Sequence, residues 1–489
     1  MTEHEQTGVV FPRTDDGRRS TTATGREVWA DAVRPVDADL AARIEAERDW
    51  RRGYVARVVN VTAAGTRSAA DALTVARAGL ASLAERMVFE RDGDSRPVPD
   101  AVKGGGTELP TRTVQGHGAH QGELAVPYRG EVLRGDALRR RLDDWAANGT
   151  IERSCAQALH DVVAHPDWLD LRDRSFAVLG AAAELGPVQP LLSWGAHVAG
   201  VDLPRQHLQD RLVDAARTGA GRLDLPQRAD GGTGADLLVE TPEVAQWLAQ
   251  TTAGRPVTVG SYAYADGAKH VQVAVASDAV VEHLLRTQPD ASYAELATPT
   301  DAYAVPLDVV EDARRRWAGR GWRKAAQAPA RALTRGSLYA PSYDVTVRRD
   351  DGTEVGIADV LVPQQGPNYT LAKRLQRWRA VVGHADGVVV SANVAPATST
   401  RSVTKNRLLA AAYAGARSFG VEVFEPATSR VLMAALLVHD LRAGRRDVAH
   451  PDDLLVSQAA HGGLWRVGYA PRSVLGLAAV RGLPGALRR

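Results

Sequence analysis

Residues 175–202, SFAVLGAAAELGPVQPLLSWGAHVAGVD, constrain the fold of this chain more than any other stretch. The apolar run Phe176, Val178, Leu179 leads into Gly180, and Gly186 follows six positions on. A short helix ends at Gly195, and a second apolar run ends in Asp202. That is the order of parts of a βαβ unit, in which two parallel strands are joined by one helix. The tight turn between Gly180 and Gly186 gathers backbone N–H groups and a helix N-terminus at one point, an arrangement suited to a phosphate.

The chain has 489 residues, more than one ordinary hydrophobic core organises, so two or three domains are expected. Its 44% apolar and 24% charged residues fit a globular protein. A net charge of +2 argues against a dedicated nucleic-acid binder, and nucleic acid is not an expected partner. The single cysteine, Cys155, excludes an intrachain disulfide framework and a cysteine-based metal site, and reads as a small apolar residue on a helix face. No apolar run has the length of a membrane span, and the first residues lack the apolar core of a secretory signal. A cytoplasmic location is the resulting expectation.

Residues 1–25 are polar and expected to be disordered. Residues 26–168 read as a mostly helical region. Leu73, Ala76, Leu80, Leu83 and Met87 share a helix face, as do Leu138, Leu142 and Trp145 before Asn148-Gly149. From 172 to 440, short apolar runs at 176–179, 198–201, 237–239, 257–259 and 388–390 alternate with amphipathic helices, predicting an α/β fold with a doubly wound, mostly parallel sheet. The alternation breaks at 286–342, which reads as an insertion and includes the basic stretch 314–335, a solvated surface first and an anion-binding surface second. Asp351-Gly352 marks a hairpin, expected as an ornament on that sheet, and 421–424 reads as one more strand. Residues 441–489 read as a helix-and-loop tail. Within it 474–480 is apolar, with packing onto the sheet domain or a dimer contact expected before a membrane contact.

Several residues could carry chemistry. A carboxylate at Asp202, at the end of the second strand, can accept both ribose hydroxyls of an adenosine, which favours NAD; Arg205 nearby keeps NADP open. Asp236 could meet the adenine edge or cap a helix or strand. Tyr369 and Lys373, four apart at the start of a helix, share one face. An ammonium beside a phenol lowers its pKa and equips it to exchange a proton with a substrate oxygen. His117 and His120 lie in a glycine-rich loop without enough neighbouring ligands, so no metal is expected.

The glycine turn, Asp202, Asp236, Tyr369-x-x-x-Lys373 and a strand followed by Asn393-x-x-Pro396-Ala397-x-x-Thr400 occur in one order. Over residues 172–425 that order resembles the short-chain dehydrogenases/reductases. The resemblance implies a Rossmann-type NAD(P)-binding domain. It implies Tyr369 as catalytic acid/base and Lys373 as the residue that holds the nicotinamide ribose. It also implies a loop bearing Pro396 and Thr400 over the nicotinamide, and a small-molecule substrate, large or lipidic given the extra segments. Three positions depart from the family pattern, one of them after strand four, where Gly260-Ser261-Tyr262-Ala263 stands in place of the family's Asn-Asn-Ala-Gly. Glu184 stands in the middle glycine place of the turn, and the window a dozen residues before Tyr369, where the family has its catalytic serine, has no serine or threonine. Two alternatives therefore stand beside an oxidoreductase acting on a carbonyl or hydroxyl group: a non-catalytic dinucleotide-binding sensor or assembly factor, and an S-adenosylmethionine-dependent methyltransferase. Homo-oligomerisation is left open.

Overall fold

Period-two alternation sends Ala177 and Leu179 into one hydrophobic core and Phe176 and Val178 into another. A strand apolar on both faces must be covered on both, and that requirement sets the architecture. The computed structural model describes residues 7–486. Seven strands form the main sheet: β1 (Thr111–Gln115), β2 (Ser175–Leu179), β3 (His197–Val201), β4 (Arg222–Pro226), β5 (Val257–Ser261), β6 (Ser292–Ala297) and β7 (Val390–Val394). Their order is β7-β6-β5-β2-β3-β4-β1, with all neighbours parallel except β1, which runs antiparallel along β4. The chain thus winds outward from β2 through β3 to β4, returns to the other side at β5, and winds outward again to β7. The reversal leaves a switch point between the carboxyl ends of β2 and β5.

Helices Ala268–Thr287 and Gly366–Ala385 cover one face. Helices Arg153–Ala164 and Pro426–Ala443 cover the other. Residues 26–168 do not form a region apart. The helices Thr21–Val33 and Ala69–Arg86 form a further layer on Gly366–Ala385, where Trp29 meets Trp378 edge to face at 5.5 Å. Other parts of the same stretch supply β1 and cover the opposite face.

Several expectations are corrected. Residues 1–6 lie outside the described residues. From Gly8 the N-terminus is ordered, because Val9, Val10 and Phe11 are buried and Gly8–Val10 pairs with Val88–Arg91. The third parallel strand is β4, whereas residues 237–239 form a turn. β4 was hidden by a polar residue at its centre: Asp224 is fully buried but satisfied by His197, Arg222 and Thr113. The proposed insertion at 286–342 contains β6, a central strand. The real departure begins after β6. Ala302–Pro306, Thr346–Arg348 and Glu354–Asp359 build a separate antiparallel three-stranded sheet, so the Asp351-Gly352 hairpin belongs there and is no ornament on the main sheet. Residues 421–424 contribute only an isolated bridge, Thr398 to Phe424. Among the described residues no helix is long and apolar enough to cross a membrane.

Gly180 sits where β2 meets β5. Its φ is +80°, and a Cβ there would lie 2.5 Å from the backbone N and Cα of Ala263. Replacement by alanine adds backbone strain and a clash that only main-chain movement relieves. Gly180→Ala is expected to cost about 3 kcal/mol in urea unfolding, and an unchanged midpoint would refute this close approach of β2 and β5.

Candidate functional site

The helix Gly366–Ala385 links β6 to β7 and runs back along the sheet, so its first turns lie at the carboxyl ends of the strands. Tyr369 and Lys373 occupy those turns. The Lys373 ammonium donates to the carbonyl of Leu296 at 3.1 Å and to Gln376 Oε1 at 2.8 Å. Gln376 in turn donates to Ser261 Oγ at 3.0 Å, tying the helix to the end of β5. Tyr369 comes near Thr298, the first residue beyond β6, whose hydroxyl pairs with that of Thr300 at 2.9 Å. Its ring meets the imidazole of His270 edge-on at 5.3 Å and Tyr264 at 6.4 Å.

Burial dominates the electrostatics here. It pushes Tyr369 up to about 12, and the Thr298 hydroxyl offsets only part of the rise. The expected lowering of Tyr369 by Lys373 is therefore corrected: the ammonium donates to Leu296 and Gln376. Burial lowers the Lys373 pKa, partly opposed by Glu295. Burial raises Glu295 to about 7, against the pull of Lys373 and Arg377. Burial, with Lys373 nearby, takes His270 down to about 3. At neutral pH Tyr369 is a phenol and His270 a neutral imidazole. Among the described residues neither Glu295 carboxylate oxygen has a hydrogen-bond partner. Glu295 lines a small cavity of about 10 Å³ with Tyr262, Ser391 and Asn393, room for about one water molecule.

The second half of the site surrounds the glycine turn. Asp202 Oδ2 accepts from the N–H of Ala182 and Oδ1 from that of Leu203, both at 2.8 Å. Burial raises the Asp202 pKa, opposed by those two N–H groups and by Arg211 and Arg205. Gly186 is buried and lets Pro187 lead into the helix Val188–Ser193. Glu184 crosses the crevice: Oε2 accepts from the N–H of Arg401 at 2.8 Å, and its carbonyl accepts from Arg430 Nε at 3.0 Å. The loop after β7 completes this edge. Ala395 N–H donates to the carbonyl of Ala297, the Pro396 carbonyl accepts from Thr398, and Thr400 precedes the short helix Arg401–Thr404.

Glycine turn, Asp202, Tyr369, Lys373 and the loop of Pro396 and Thr400 thus share the carboxyl edge of the sheet. Asp236 does not join them. Its carboxylate accepts from Leu238 N in a local turn before the helix Thr241–Thr251. His120 contacts the carbonyl of Leu169, and no group of three or more metal-ligating side chains forms among the described residues. Cys155 is buried, and burial raises its pKa. Thr298 was missed by sequence reasoning, because the separate sheet and its helices lie between β6 and Tyr369. The signal was the polar Thr298-Pro299-Thr300 closing an apolar run.

No protein-family model, curated protein or solved structure matches this chain.

Glu295 gives a measurable signature. The folded chain holds its proton up to about pH 7, whereas an unfolded chain releases it near the ordinary glutamate value of 4.5. Between those values the folded state binds more protons, so this group makes stability fall as pH rises and plateau above 7. Glu295→Gln is expected to remove that decline and stabilise the protein at pH 8 by about 3 kcal/mol in denaturant titrations. Equal slopes for both proteins between pH 5 and 7 would refute the assignment.

Proposed function

We propose that this chain is a nicotinamide-nucleotide-dependent oxidoreductase that reduces a carbonyl group. The observation that carries the reading is the cluster of Thr298, Tyr369 and Lys373 at the carboxyl edge of the sheet, beside its switch point. Counted from β2, the parallel strands run 3-2-1-4-5-6, the order of Rossmann-type dinucleotide-binding sheets, whose ligands lie outside the carboxyl ends at that reversal. The cluster sits on the helix between the fifth and sixth strands, where the short-chain dehydrogenase/reductase resemblance requires it.

The donors near the turn suit a dinucleotide. Arg430 and Arg211 flank it, with Arg211 reaching the carbonyl of Ala182 and Arg430 that of Glu184. The Asp202 oxygens keep lone pairs for ribose hydroxyls beyond the backbone bonds they accept. NAD is the expected nucleotide, with Arg205 keeping NADP open. Glu184 competes for the same space, since its carboxylate already takes the Arg401 N–H. In this reading Asp202 holds the adenosine ribose, the turn with Arg211 and Arg430 holds the diphosphate, and the loop of Pro396 and Thr400 closes over the nicotinamide. The bound nucleotide supplies the hydride. Tyr369, protonated at neutral pH, gives its proton to the substrate oxygen, and Thr298 donates a second hydrogen bond to that oxygen. A phenol held near 12 is a better acid in reduction than a base in oxidation. The substrate is a small molecule, large or lipidic.

A second reading, a nucleotide-binding protein without redox chemistry, is favoured by two contacts: Glu184 with Arg401, and Lys373 with the Leu296 carbonyl.

Calorimetry with NADH and NADPH tests both readings. Glu184→Ala is expected to tighten binding about tenfold or more by removing a negative charge from the turn. Absence of binding to either protein, or binding of S-adenosylmethionine alone, would overturn both. Across a panel of ketones and aldehydes, Tyr369→Phe is expected to lower kcat about 10²- to 10⁴-fold with nucleotide affinity unchanged. Binding without turnover by the unaltered protein selects the second reading, and unaltered turnover in Tyr369→Phe removes Tyr369 from the chemistry.

A further inference from the structure

Three segments carry a charge imbalance that the site does not use. Residues 314–340 hold eight Lys and Arg, 401–420 hold four and 471–489 hold four, with no Asp or Glu in any of them. Elsewhere the chain has 44 basic against 58 acidic residues, so a nearly neutral total conceals one strongly basic region.

The fold brings these segments together around Tyr469. Its ring meets Trp317 at 5.5 Å, Tyr339 at 5.8 Å and Phe419 at 6.0 Å. Arg481 lies over Phe419, Arg320 over Tyr469, and Arg331 over Trp317. The helices Arg407–Ala416 and Pro471–Ala486 pack antiparallel through glycines, with Gly415 against the carbonyl of Ala478 and Gly482 against that of Ala411. Some cations are neutralised locally: Arg315 and Arg316 by Asp312, and Arg472 by Asp359. Arg331, Arg335, Lys405, Arg407, Arg417 and Arg481 are exposed and form no ion pair with a described carboxylate.

The same three segments expose large aliphatic side chains. Leu333 is 88% exposed, Val480 64%, Leu408 51% and Leu483 48%. Each lies close in sequence to a cation: Leu333 between Arg331 and Arg335, Leu408 after Lys405 and Arg407, Val480 and Leu483 around Arg481. Among residues 326–333 of the helix Trp322–Leu333, none is buried against the rest of the chain.

We infer that this three-helix face docks onto a lipid bilayer bearing anionic headgroups. Cations interleaved with protruding aliphatic side chains on helices lying at a surface satisfy both layers of such an interface: the headgroups take the charge and the acyl boundary takes the leucines and valine. A nucleic-acid backbone would use the cations and leave the aliphatic side chains in water. The inference stands whether or not the oxidoreductase reading does. It also brings the face near the candidate site, since Tyr413 of Arg407–Ala416 packs against the cluster that holds Ala397, on the loop after β7.

Co-sedimentation with large unilamellar vesicles tests it. The full chain is expected to bind vesicles of three parts phosphatidylcholine to one part phosphatidylglycerol at about 0.1 M salt, to leave them at about 1 M, and to ignore pure phosphatidylcholine. The combined Arg331→Gln, Arg407→Gln and Arg481→Gln variant is expected to bind about 100-fold more weakly. Leu333→Ser with Leu483→Ser is expected to weaken vesicle binding while leaving heparin binding unchanged. These side chains are exposed, so melting temperatures should match the parent. Failure to bind the anionic vesicles, equal binding to both vesicle types, or tighter binding to a duplex RNA than to the anionic vesicles would overturn the inference.

Discussion

Two buried guanidinium–carboxylate pairs hold the helix that carries the candidate chemistry. Arg374 bonds Asp301 at 2.8 Å and Thr62 at 3.1 Å. Arg377 bonds Asp452 at 2.6 Å and the carbonyl of Ala302 at 2.8 Å. Thr66 supplies a further donor to Asp452. Burial by itself would raise the Asp452 pKa, but Arg377, His450 and Thr66 outweigh it and hold it below the usual carboxylate range. Such pairs add little net stability over an apolar core, because desolvation consumes most of the attraction. Their consequence is geometric. Two anchors three residues apart on one helix fix both its rotation and its slide. Lys373, next to the first anchor, and Tyr369, just over a turn before it, are thereby set against the ends of β5 and β6. Asp301 lies three residues past Thr298, so one clamp positions both sides of the cluster.

That rigidity explains the direction of the local charge effects. A helix pinned into the core takes its polar side chains with it, and burial then governs every titration in the cluster. Lys373 satisfies its ammonium on a carbonyl and an amide, and its ionic neighbour is Glu295, so it exerts no hold on the phenol. Tyr369 remains protonated and Glu295 retains a proton to near neutrality. A site built this way stores protons on neutral acids, which suits donation to a developing alkoxide better than abstraction from an alcohol.

The sequence was most legible where local pattern and global fold agree. The stretch 175–202 folds as read, because an apolar run, a required glycine and a second apolar run leave few other solutions. The helix bearing Tyr369 and Lys373 was also readable from its periodicity. Long-range topology was not. β4 was obscured by Asp224, whose burial is paid for by His197 and Arg222 from neighbouring positions in the sheet. β6 looked like part of an insertion because the separate three-stranded sheet follows it directly. The serine that the resemblance expects a dozen residues before Tyr369 is absent there, and Thr298 instead approaches from the end of a strand far upstream. Spacing in sequence is a measure of distance only when the chain between two points is short.

The turn between Gly180 and Gly186 turns on one carboxylate. A fixed negative charge about 4 Å from a diphosphate costs about 1 kcal/mol in water and about 4 kcal/mol at a protein surface, enough to lower affinity by one to three orders of magnitude. Glu184 is only partly buried, and its visible hold on the crevice is a single charge-assisted hydrogen bond to the first residue of a four-residue helix. A bond of that kind is worth about 1.5–3 kcal/mol, the same scale as the repulsion it would relieve by swinging out. Arg211 and Arg430 stand on the opposite balance, offering an anion two guanidinium groups, and burial already lowers the Arg430 pKa against the pull of Glu184. On the proposed reading, the glutamate stands where a dinucleotide's diphosphate would lie, held by a bond no stronger than the repulsion that such a ligand would bring.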